Sequence, residues 1–490
     1  MDATRAERAE RAPATAFART AGLAAPVAAT AVAGLLGLLF LGSKSFWLDE
    51  AFSAAAASLS IGSLWHLATD SQANMSLYYV LLHGWRTVGE GEFALRSLSV
   101  VFASAAVPVV WALARRLFDE TTAAVAAFLL AVNQFLLQYA QETRGYSLAV
   151  LLVSLASLLF LRAAERPTNG RLAAYALVGG LSLYAHLYAA LVLLAHLVAA
   201  ILLDAHRRRL AVGFAAIGLL SLPLALFVLF RDSGQVAFLS RPGVVDVAKT
   251  FAHLGGGRAP VLAYGALGVF ALVAARREVL MPRSRAGWRW AFLLLWAFLP
   301  IAASFLASQA KPFFQPFYLI VCLPPVVIVV ARGLVTLPSV RLRVAATGIV
   351  LALSLLEVGL WYGTYDKEDW RAAEQYVAAN ARSGDVIGFY APYARIPFEY
   401  YAVRNGLQDV RPGYPATPWG QLSLRHATFD DPSLRFPETL LADNRRVWIV
   451  LSHGGANDDD AVRAAAARAG RRLERRSFTG ADVLLFASRA

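Results

Sequence analysis

Long apolar runs separated by short polar segments dominate the chain up to about residue 363. A helix needs about 20 apolar residues to cross the hydrocarbon core of a bilayer. By this measure the pattern predicts eleven membrane spans, at 24–42, 93–117, 121–139, 145–163, 172–185, 187–203, 209–230, 259–275, 289–308, 313–335 and 343–362. The break within 172–203 is the weakest, because it consists only of Tyr184, Ala185 and His186. We therefore expect a polytopic α-helical membrane protein with about 11 transmembrane helices.

The pattern changes at residue 364, where polar and apolar positions begin to alternate as in a soluble domain. Residues 369–381 predict an amphipathic helix. Three aspartates open a second predicted helix at 458–469, where acids favour the helix N-terminus. Short apolar runs predict strands at 386–390, 447–451 and 483–486, and the proline-rich stretch 412–437 predicts a loop. Residues 364–490 thus predict a small α/β domain.

Composition supports the membrane interpretation. The 490 residues are 58% hydrophobic and 16% charged, with a mean hydropathy of +0.52, whereas soluble domains carry about 25% charged residues. So little charge and so many apolar residues exclude a disordered chain. Cys322 is the one cysteine, which excludes a disulfide scaffold and a thiolate zinc site.

The basic residues indicate an orientation in the membrane. The net charge is +13, but residues 364–490 hold 17 Lys and Arg against 16 Asp and Glu, so the surplus lies among the apolar runs. A surplus there indicates anionic lipid and no nucleic-acid partner. With a cytoplasmic N-terminus, the short inside segments hold 20 arginines, whereas the longer outside segments before residue 364 hold nine basic residues. Cytoplasmic loops carry such an excess.

This orientation predicts three regions. Residues 1–22 form a cytoplasmic segment, and 23–363 form a transmembrane domain with outer loops at 43–92 and 231–258. Residues 364–490 form an extracytoplasmic domain. We interpret 24–42 as a retained first span, because no clear cleavage site for a signal peptide closes it.

Two adjacent acids, Asp49 and Glu50, follow the first predicted span directly after Phe46 and Trp47. Ionisable groups at a membrane boundary are candidates for function. A carboxylate here can deprotonate a sugar hydroxyl or hold a divalent cation. The alternative is a solvated helix cap.

A second charged pair, Glu142 and Arg144, lies between the third and fourth predicted spans. The arginine fork suits phosphate oxygens. The alternative is a mutual salt bridge that closes a short turn.

Four further polar side chains are candidates: His83, His186, His196 and Lys311. His186 lies in an outer turn between two predicted spans, whereas His196 lies near mid-span, where a hydrogen-bonded core histidine is the simpler interpretation. Lys311 lies at the outer end of a span, where it either binds an anionic headgroup or extends to the interface.

Several short segments together resemble the GT-C glycosyltransferases of family 39, which include protein O-mannosyltransferases and lipid A aminoarabinose transferases. The segments are WLDEA at 47–51, SLYYVLLHGW at 76–85, EFALR at 92–96, QETRGY at 141–146, YAHLY at 184–188 and EDWRAA at 368–373. The chain departs from the family at 73–76, which read ANMS where members often show His-Pro-Pro. It departs again at Phe317-Tyr318, where many members show Arg-Tyr.

The resemblance implies transfer of a sugar from a polyprenyl-phosphate donor to an acceptor hydroxyl on the outer face of the membrane, with inversion. It implies catalytic acids at Asp49, with Glu50 beside it, and at Glu142. It implies contact between Arg144 and the donor phosphate. Our site prediction adds Lys311, Tyr146 and His186 on the donor side. Tyr78, Tyr79 and His83 are predicted on the acceptor side.

The acceptor is predicted as a glycan, lipid or protein, and the location as a bacterial plasma membrane. A divalent cation, Mg²⁺ or Mn²⁺, held by Asp49 or Glu142 stays open; no other cofactor is expected. Two other functions also stay open: a lipid-sugar transporter or flippase, and a non-catalytic protein of cell-envelope assembly. A transporter typically has broken spans in matching positions of two halves, a symmetry that we do not find here.

Overall fold

The computed structural model describes residues 23–203, 206–230, 239–424 and 433–489. The predicted cytoplasmic segment 1–22 and residues 231–238 of the predicted outer loop lie outside the described residues. Two compact units are present. The first comprises residues 23–39, 72–78 and 96–363, and the second comprises 40–71, 79–95 and 364–489. Most of the predicted outer loop 43–92 therefore belongs to the same unit as the C-terminal residues.

Helices make up most of the described chain. In chain order they are α1 (Leu23–Leu38), α2 (Leu48–Ser58), α3 (Ile61–Asp70), α4 (Ser76–Trp85), α5 (Glu92–Leu117), α6 (Glu120–Ala131), α7 (Gln134–Ala140), α8 (Tyr146–Glu165), α9 (Asn169–Ala185), α10 (Ala189–Leu202), α11 (Arg207–Phe230), α12 (Val244–Leu254), α13 (Val261–Ala274), α14 (Arg276–Val279), α15 (Arg285–Ser308), α16 (Leu323–Val335), α17 (Val340–Thr364), α18 (Trp370–Asn380), α19 (Arg395–Asn405), α20 (Phe436–Asp443) and α21 (Ala456–Ala469).

The first unit has a membrane-type architecture. Among the described residues, six segments are long and apolar enough to cross a membrane: α5, α8, α11, α15, Pro316–Val335 and α17. The bent pair α6 and α7 makes a seventh if it counts as one span, and α1, α10 and α13 are shorter apolar helices. Each predicted span overlaps one of these segments or α9. The number that crosses a membrane stays a prediction.

One predicted span is broken. The run 121–139 forms α6 and α7, which meet at an angle of 53°. Asn133 caps the start of the second helix, because its Oδ1 accepts hydrogen bonds from the backbone N–H groups of Phe135 at 3.0 Å and Leu136 at 3.3 Å. An asparagine cap satisfies amide groups that the start of a helix leaves unpaired, so it separates two helices within one apolar run.

The second unit contains a five-stranded sheet. Its strands are β1 (Asp385–Tyr390), β2 (Val410–Tyr414), β3 (Arg446–Leu451), β4 (Gly470–Phe478) and β5 (Ala481–Ser488), in the order β2-β1-β3-β5-β4. β1 pairs in parallel with β2 and β3, and β5 pairs antiparallel with β3 and β4.

Alternate residues of the central strands pack on opposite faces of the sheet. Trp448 of β3 packs in one hydrophobic cluster with α18 and α19, and Ile449 packs in another with α20 and α21. The predicted helices at 369–381 and 458–469 and the three predicted strands are confirmed. The predicted loop 412–437 begins in β2 and ends in α20, so that prediction is wrong at both ends.

Candidate functional site

The two adjacent acids of α2 have different surroundings. Glu50 is fully buried, and its carboxylate pairs with Nζ of Lys367 at 2.8 Å; that lysine side chain is only 4% exposed. Asp49 is half-buried in the first turn of α2. Of the two predicted acids, Asp49 is therefore the one that a solvent molecule or a substrate reaches.

The segment 141–145 joins α7 to α8 in the first unit and holds the second charged pair. Gln141 donates from Nε2 to the carbonyl of Leu39 at 2.6 Å and to that of Gly37 at 3.0 Å, which ties the segment to the end of α1. Glu142 is buried, whereas Arg144 is half-buried. The Arg144 guanidinium lies 5.9 Å from the centroid of the Tyr146 ring, within the range of a cation–π contact.

Aromatic rings collect around Tyr146 and His186, which the sequence places 40 residues apart. Their ring centroids are 5.5 Å apart, and the His186 ring lies 5.0 Å from that of Tyr318. Tyr188 and Phe317 each contact the Tyr318 ring, at 5.2 and 4.8 Å. Two predicted donor-side residues are thus brought together. The other three rings were not among the predicted site residues, although Phe317 and Tyr318 form one of the two departures from the family pattern.

The other departure from the family also has a structural position. Asn74, within the ANMS segment, accepts a hydrogen bond from the backbone N–H of Leu187 at 3.1 Å. A side chain on Gly145 would come within 3.0 Å of the carbonyl oxygen of Ala185, so glycine permits this close approach. Residues 74, 145 and 185–187 therefore meet beside the aromatic rings.

Two more candidates, His196 and Lys311, lie in the first unit. His196 is a core residue, because its ring bonds to Ser157 at 2.9 Å and Tyr175 at 3.1 Å and stacks on Phe160. This confirms the simpler interpretation for that histidine. Lys311 is exposed, two residues before Phe313, whose carbonyl accepts a hydrogen bond from the Tyr188 hydroxyl at 2.8 Å.

The three predicted acceptor-side residues divide between the units. Tyr78 is buried in the first unit, where its hydroxyl bonds to Ser99 at 2.9 Å; the Ser99 hydroxyl also lies 3.3 Å from the carbonyl of Arg144. Tyr79 is buried in the second unit. His83 is half-buried there, and its Nδ1 lies 2.8 Å from the carbonyl oxygen of Ala57, near the end of α2.

A cavity of about 320 Å³ lies at the end of α2 in the second unit, with Ala54, Ala55 and Ser58 in its wall. Arg86 lines it and donates to the same Ala57 carbonyl at 3.1 Å. Apolar side chains from α2, α19 and residues 422–424 form much of the wall, with Arg86, Glu90, Glu399 and Arg404 as its charged residues. Binding cavities typically have about 300–1,000 Å³ and a few polar groups in an apolar wall, as here.

The charges of this cavity are balanced within the unit. Glu90 pairs with Arg86 and lies 3.7 Å from Arg404. Glu399 bonds to the fully buried guanidinium of Arg395 at 2.7 Å. Burial raises the pKa of the Glu399 carboxyl, although the Arg395 charge opposes that rise. A ligand there would meet paired guanidinium and carboxylate groups and no large net charge.

The predicted metal site has no further support from the described residues, in which no group of three or more His, Cys, Asp and Glu side chains is arranged to hold a metal ion. Binding of a metal ion by Asp49 or Glu142 stays a prediction.

Comparison with known proteins gives one match to a family model. Residues 71–230 match the model described as dolichyl-phosphate-mannose-protein mannosyltransferase. That interval contains Glu142, Arg144, Tyr146 and His186. A search of curated proteins found no match to this chain.

Solved structures match over nearly the whole chain. ArnT from Cupriavidus metallidurans in the apo state is 14% identical, with a TM-score of 0.61 over 94% of this chain and 97% of that one. Its structure bound to undecaprenyl phosphate is 13% identical, with a TM-score of 0.62 over 94% of this chain and 97% of that one. AglB from Archaeoglobus fulgidus, in complex with an inhibitory peptide and a dolichol-phosphate, is 14% identical, with a TM-score of 0.57 over 96% of this chain and 74% of that one.

Proposed function

Because the chain has the GT-C fold and resembles family 39, we propose that it is a membrane glycosyltransferase. It moves a sugar from a polyprenyl-phosphate donor to an acceptor hydroxyl on the outer face of a bacterial plasma membrane. The supporting observation is the match of fold over 94% of the chain to a protein whose structure holds undecaprenyl phosphate.

The proposed reaction is a single displacement. The acceptor oxygen attacks the anomeric carbon while the bond from that carbon to the phosphate oxygen breaks, which inverts the configuration. The acceptor proton passes to the Asp49 carboxylate, and polyprenyl phosphate leaves as an anion. A phosphate anion is a stable leaving group, so the enzyme mainly needs a base and positive charge at the phosphate.

Asp49 is the proposed base because it is the accessible acid of α2, while Glu50 is held by Lys367. Glu142 is the second acid that we assign to the site. Arg144 and Lys311 are the proposed cations for the departing phosphate, with Tyr146 and His186 beside the donor. A guanidinium stabilises phosphate charge well because it presents several donors in one plane.

For the acceptor we propose the cavity at the end of α2, together with Tyr78, Tyr79 and His83. The cavity and the proposed base share α2, since Ala54, Ala55 and Ser58 line it. A helix rises about 1.5 Å per residue, so Ala54 lies about 7.5 Å along the axis from Asp49. An acceptor of a few linked units spans that distance, with one unit in the cavity and a hydroxyl at Asp49.

The deciding experiment compares Asp49→Asn with Asp409→Asn, a change of an exposed acid in the same unit. Purified full-length variants in lipid nanodiscs are assayed with a panel of polyprenyl-phosphate sugars. We expect Asp49→Asn to lose about 10²–10⁴-fold in transfer, the usual contribution of a general base, while Asp409→Asn keeps it. Full transfer by Asp49→Asn would refute the assignment of the base. Absence of transfer by the unchanged protein with every donor would favour a transporter or an assembly protein.

A further inference from the structure

The helix that carries the proposed base has no cap of its own. The residue before α2, Trp47, makes no side-chain hydrogen bond to the first turn. The first amide groups of a helix have no partner within it, so a cap usually comes from a nearby Ser, Thr, Asp or Asn. α2 thus needs a partner from elsewhere in the unit.

Glu368 supplies that partner from the segment before α18. Its Oε2 accepts a hydrogen bond from the backbone N–H of Leu48 at 3.2 Å, across 320 positions of sequence. Its backbone carbonyl accepts a hydrogen bond from the Ser45 hydroxyl, which fixes the residues entering the helix. A carboxylate at a helix N-terminus also interacts favourably with the helix dipole.

Lys367, the residue before Glu368, contacts the same first turn of α2 through the side chain of Glu50. Its Nζ lies 2.8 Å from the Glu50 carboxylate, with both side chains almost completely buried. Leu48 is therefore held through its amide and Glu50 through its carboxylate. Asp49 is the residue between them.

The two holding residues are themselves anchored in the C-terminal part of the unit. Asp369 donates its backbone N–H to the carbonyl of Thr479 at 2.9 Å, in the turn between β4 and β5. Trp370 is fully buried and donates to Glu368 at 2.6 Å, and His453 Nε2 lies 2.9 Å from the other oxygen of that carboxylate. Contacts with the C-terminal five-stranded sheet and its loops thus fix the positions of residues 367 and 368.

We propose that Lys367 and Glu368 form a clamp that positions the Asp49 carboxylate, with His453 and Trp370 orienting Glu368. Lys367 and Glu368 are positioning residues, since they act on the acceptor proton only through Asp49. The proposal rests on the function proposed above. It gives the C-terminal domain a part in catalysis: this domain holds the turn that bears the base. Misplacement of a reacting group by about 1 Å costs about 10²-fold in rate.

Kinetics test the clamp in purified full-length protein. We expect Lys367→Met and Glu368→Ala to lower kcat about 10- to 100-fold and leave the KM for the donor within about twofold. Lys367→Arg keeps the cation and restores most of kcat. Lys249→Met, which changes an exposed lysine of α12, is the matched control and keeps full activity.

A double-mutant cycle separates positioning from general stability. Lys367→Met lowers transfer in the unchanged protein and causes no further loss in the Asp49→Asn background, because both changes disable the same group. An equal loss in both backgrounds would overturn the clamp. So would full kcat in Lys367→Met and Glu368→Ala when Asp49→Asn alone abolishes transfer, and that result would leave the proposed function intact.

A second readout does not depend on activity. Cys322 is fully buried, so a nitroxide label attached after Asp49→Cys reports on position 49. We expect an immobilised electron paramagnetic resonance spectrum that becomes mobile with Lys367→Met or Glu368→Ala and stays immobilised with Lys249→Met. An unchanged spectrum in both clamp variants would overturn the proposal even if the transfer activity itself were never detected.

Discussion

At the scale of single residues, the adjacent acids Asp49 and Glu50 differ in burial and in their contacts. Asp49 and Glu50 are equivalent in the sequence pattern, yet only Glu50 is fully buried against a lysine. A buried charge needs such a partner, since removal from water is costly. This difference rests on Lys367, which lies 317 positions away and had no predicted function.

The proposed phosphate contact gives a residue-scale prediction. Arg144→Ala removes a half-buried guanidinium, and a hydrogen bond to a charged group contributes about 1.5–3 kcal/mol. We expect kcat/KM for the lipid donor to fall about 10- to 100-fold. Arg258→Ala, a change of an exposed arginine, is the control. Loss of folded protein in the Arg144 variant alone would support a structural salt bridge instead.

The clamp also predicts a dependence of stability on pH. Burial raises the pKa of the Glu368 carboxyl, but the bonds from His453, Trp370 and Leu48 outweigh it and hold this pKa below 4.5. A carboxyl with a lowered pKa stabilises the fold fully above the unfolded value, and this contribution disappears as the pH falls toward the folded value. We expect Tm of the unchanged protein to fall more steeply below about pH 4.5 than that of Glu368→Gln. Parallel curves for the two proteins would contradict this.

At the scale of elements, local pattern predicted those helices and strands whose cores are apolar. β1, β3 and β5 coincide with apolar runs, and α18 is capped by Asp369, whose side chain accepts a hydrogen bond from the backbone N–H of Ala372. β4 was missed because seven of its nine residues are exposed, and four of them are arginines. β2 was missed because Pro412 and Gly413 are typical of turns. These two edge strands exist because of the neighbours with which they pair.

The cavity beside α19 gives an element-scale prediction. Val403 lines it and is 49% exposed, so Val403→Trp fills the cavity with a large, mostly apolar side chain. A membrane extract from the source cells supplies the acceptor and is titrated against the rate of transfer. We expect the amount of extract that gives half the maximal rate to rise at least about fivefold in this variant. The KM for the donor stays unchanged. Val245→Trp on α12 is the size-matched control. An unchanged requirement for extract would exclude this cavity as the acceptor subsite.

At the scale of the whole molecule, hydropathy was enough to predict the membrane-type helices and the separate C-terminal domain, whereas the resemblance to GT-C enzymes rests on short segments such as 47–51 and 141–146. The membrane-type helices and the C-terminal sheet are present as expected. Hydropathy did not predict that residues 40–71 and 79–95 group with the C-terminal residues, because that grouping depends on contacts such as the one between Phe46 and Tyr401. Such contacts join residues hundreds of positions apart and produce no periodic pattern in the sequence.

The proposed orientation gives a prediction for the whole molecule. We propose about eleven spans, a cytoplasmic N-terminus at 1–22 and an extracytoplasmic domain at 364–490. A tag at residue 490 should then react with an impermeant reagent in intact cells, and a tag at residue 207 should react only after permeabilisation. Equal reactivity at both sites would refute the orientation, which the distribution of arginines supports.

The separation between α2 and its cap has a consequence for biosynthesis. Leu48 is translated 320 residues before Glu368. Because synthesis runs at about 5–20 residues per second, roughly 15–60 s pass between the synthesis of α2 and that of its cap. A nascent or truncated chain that stops short of residue 367 carries the acid on an incompletely held turn. The clamp therefore ties full activity to translation past residue 368, and shorter chains are expected to transfer sugar from the lipid carrier at a reduced rate.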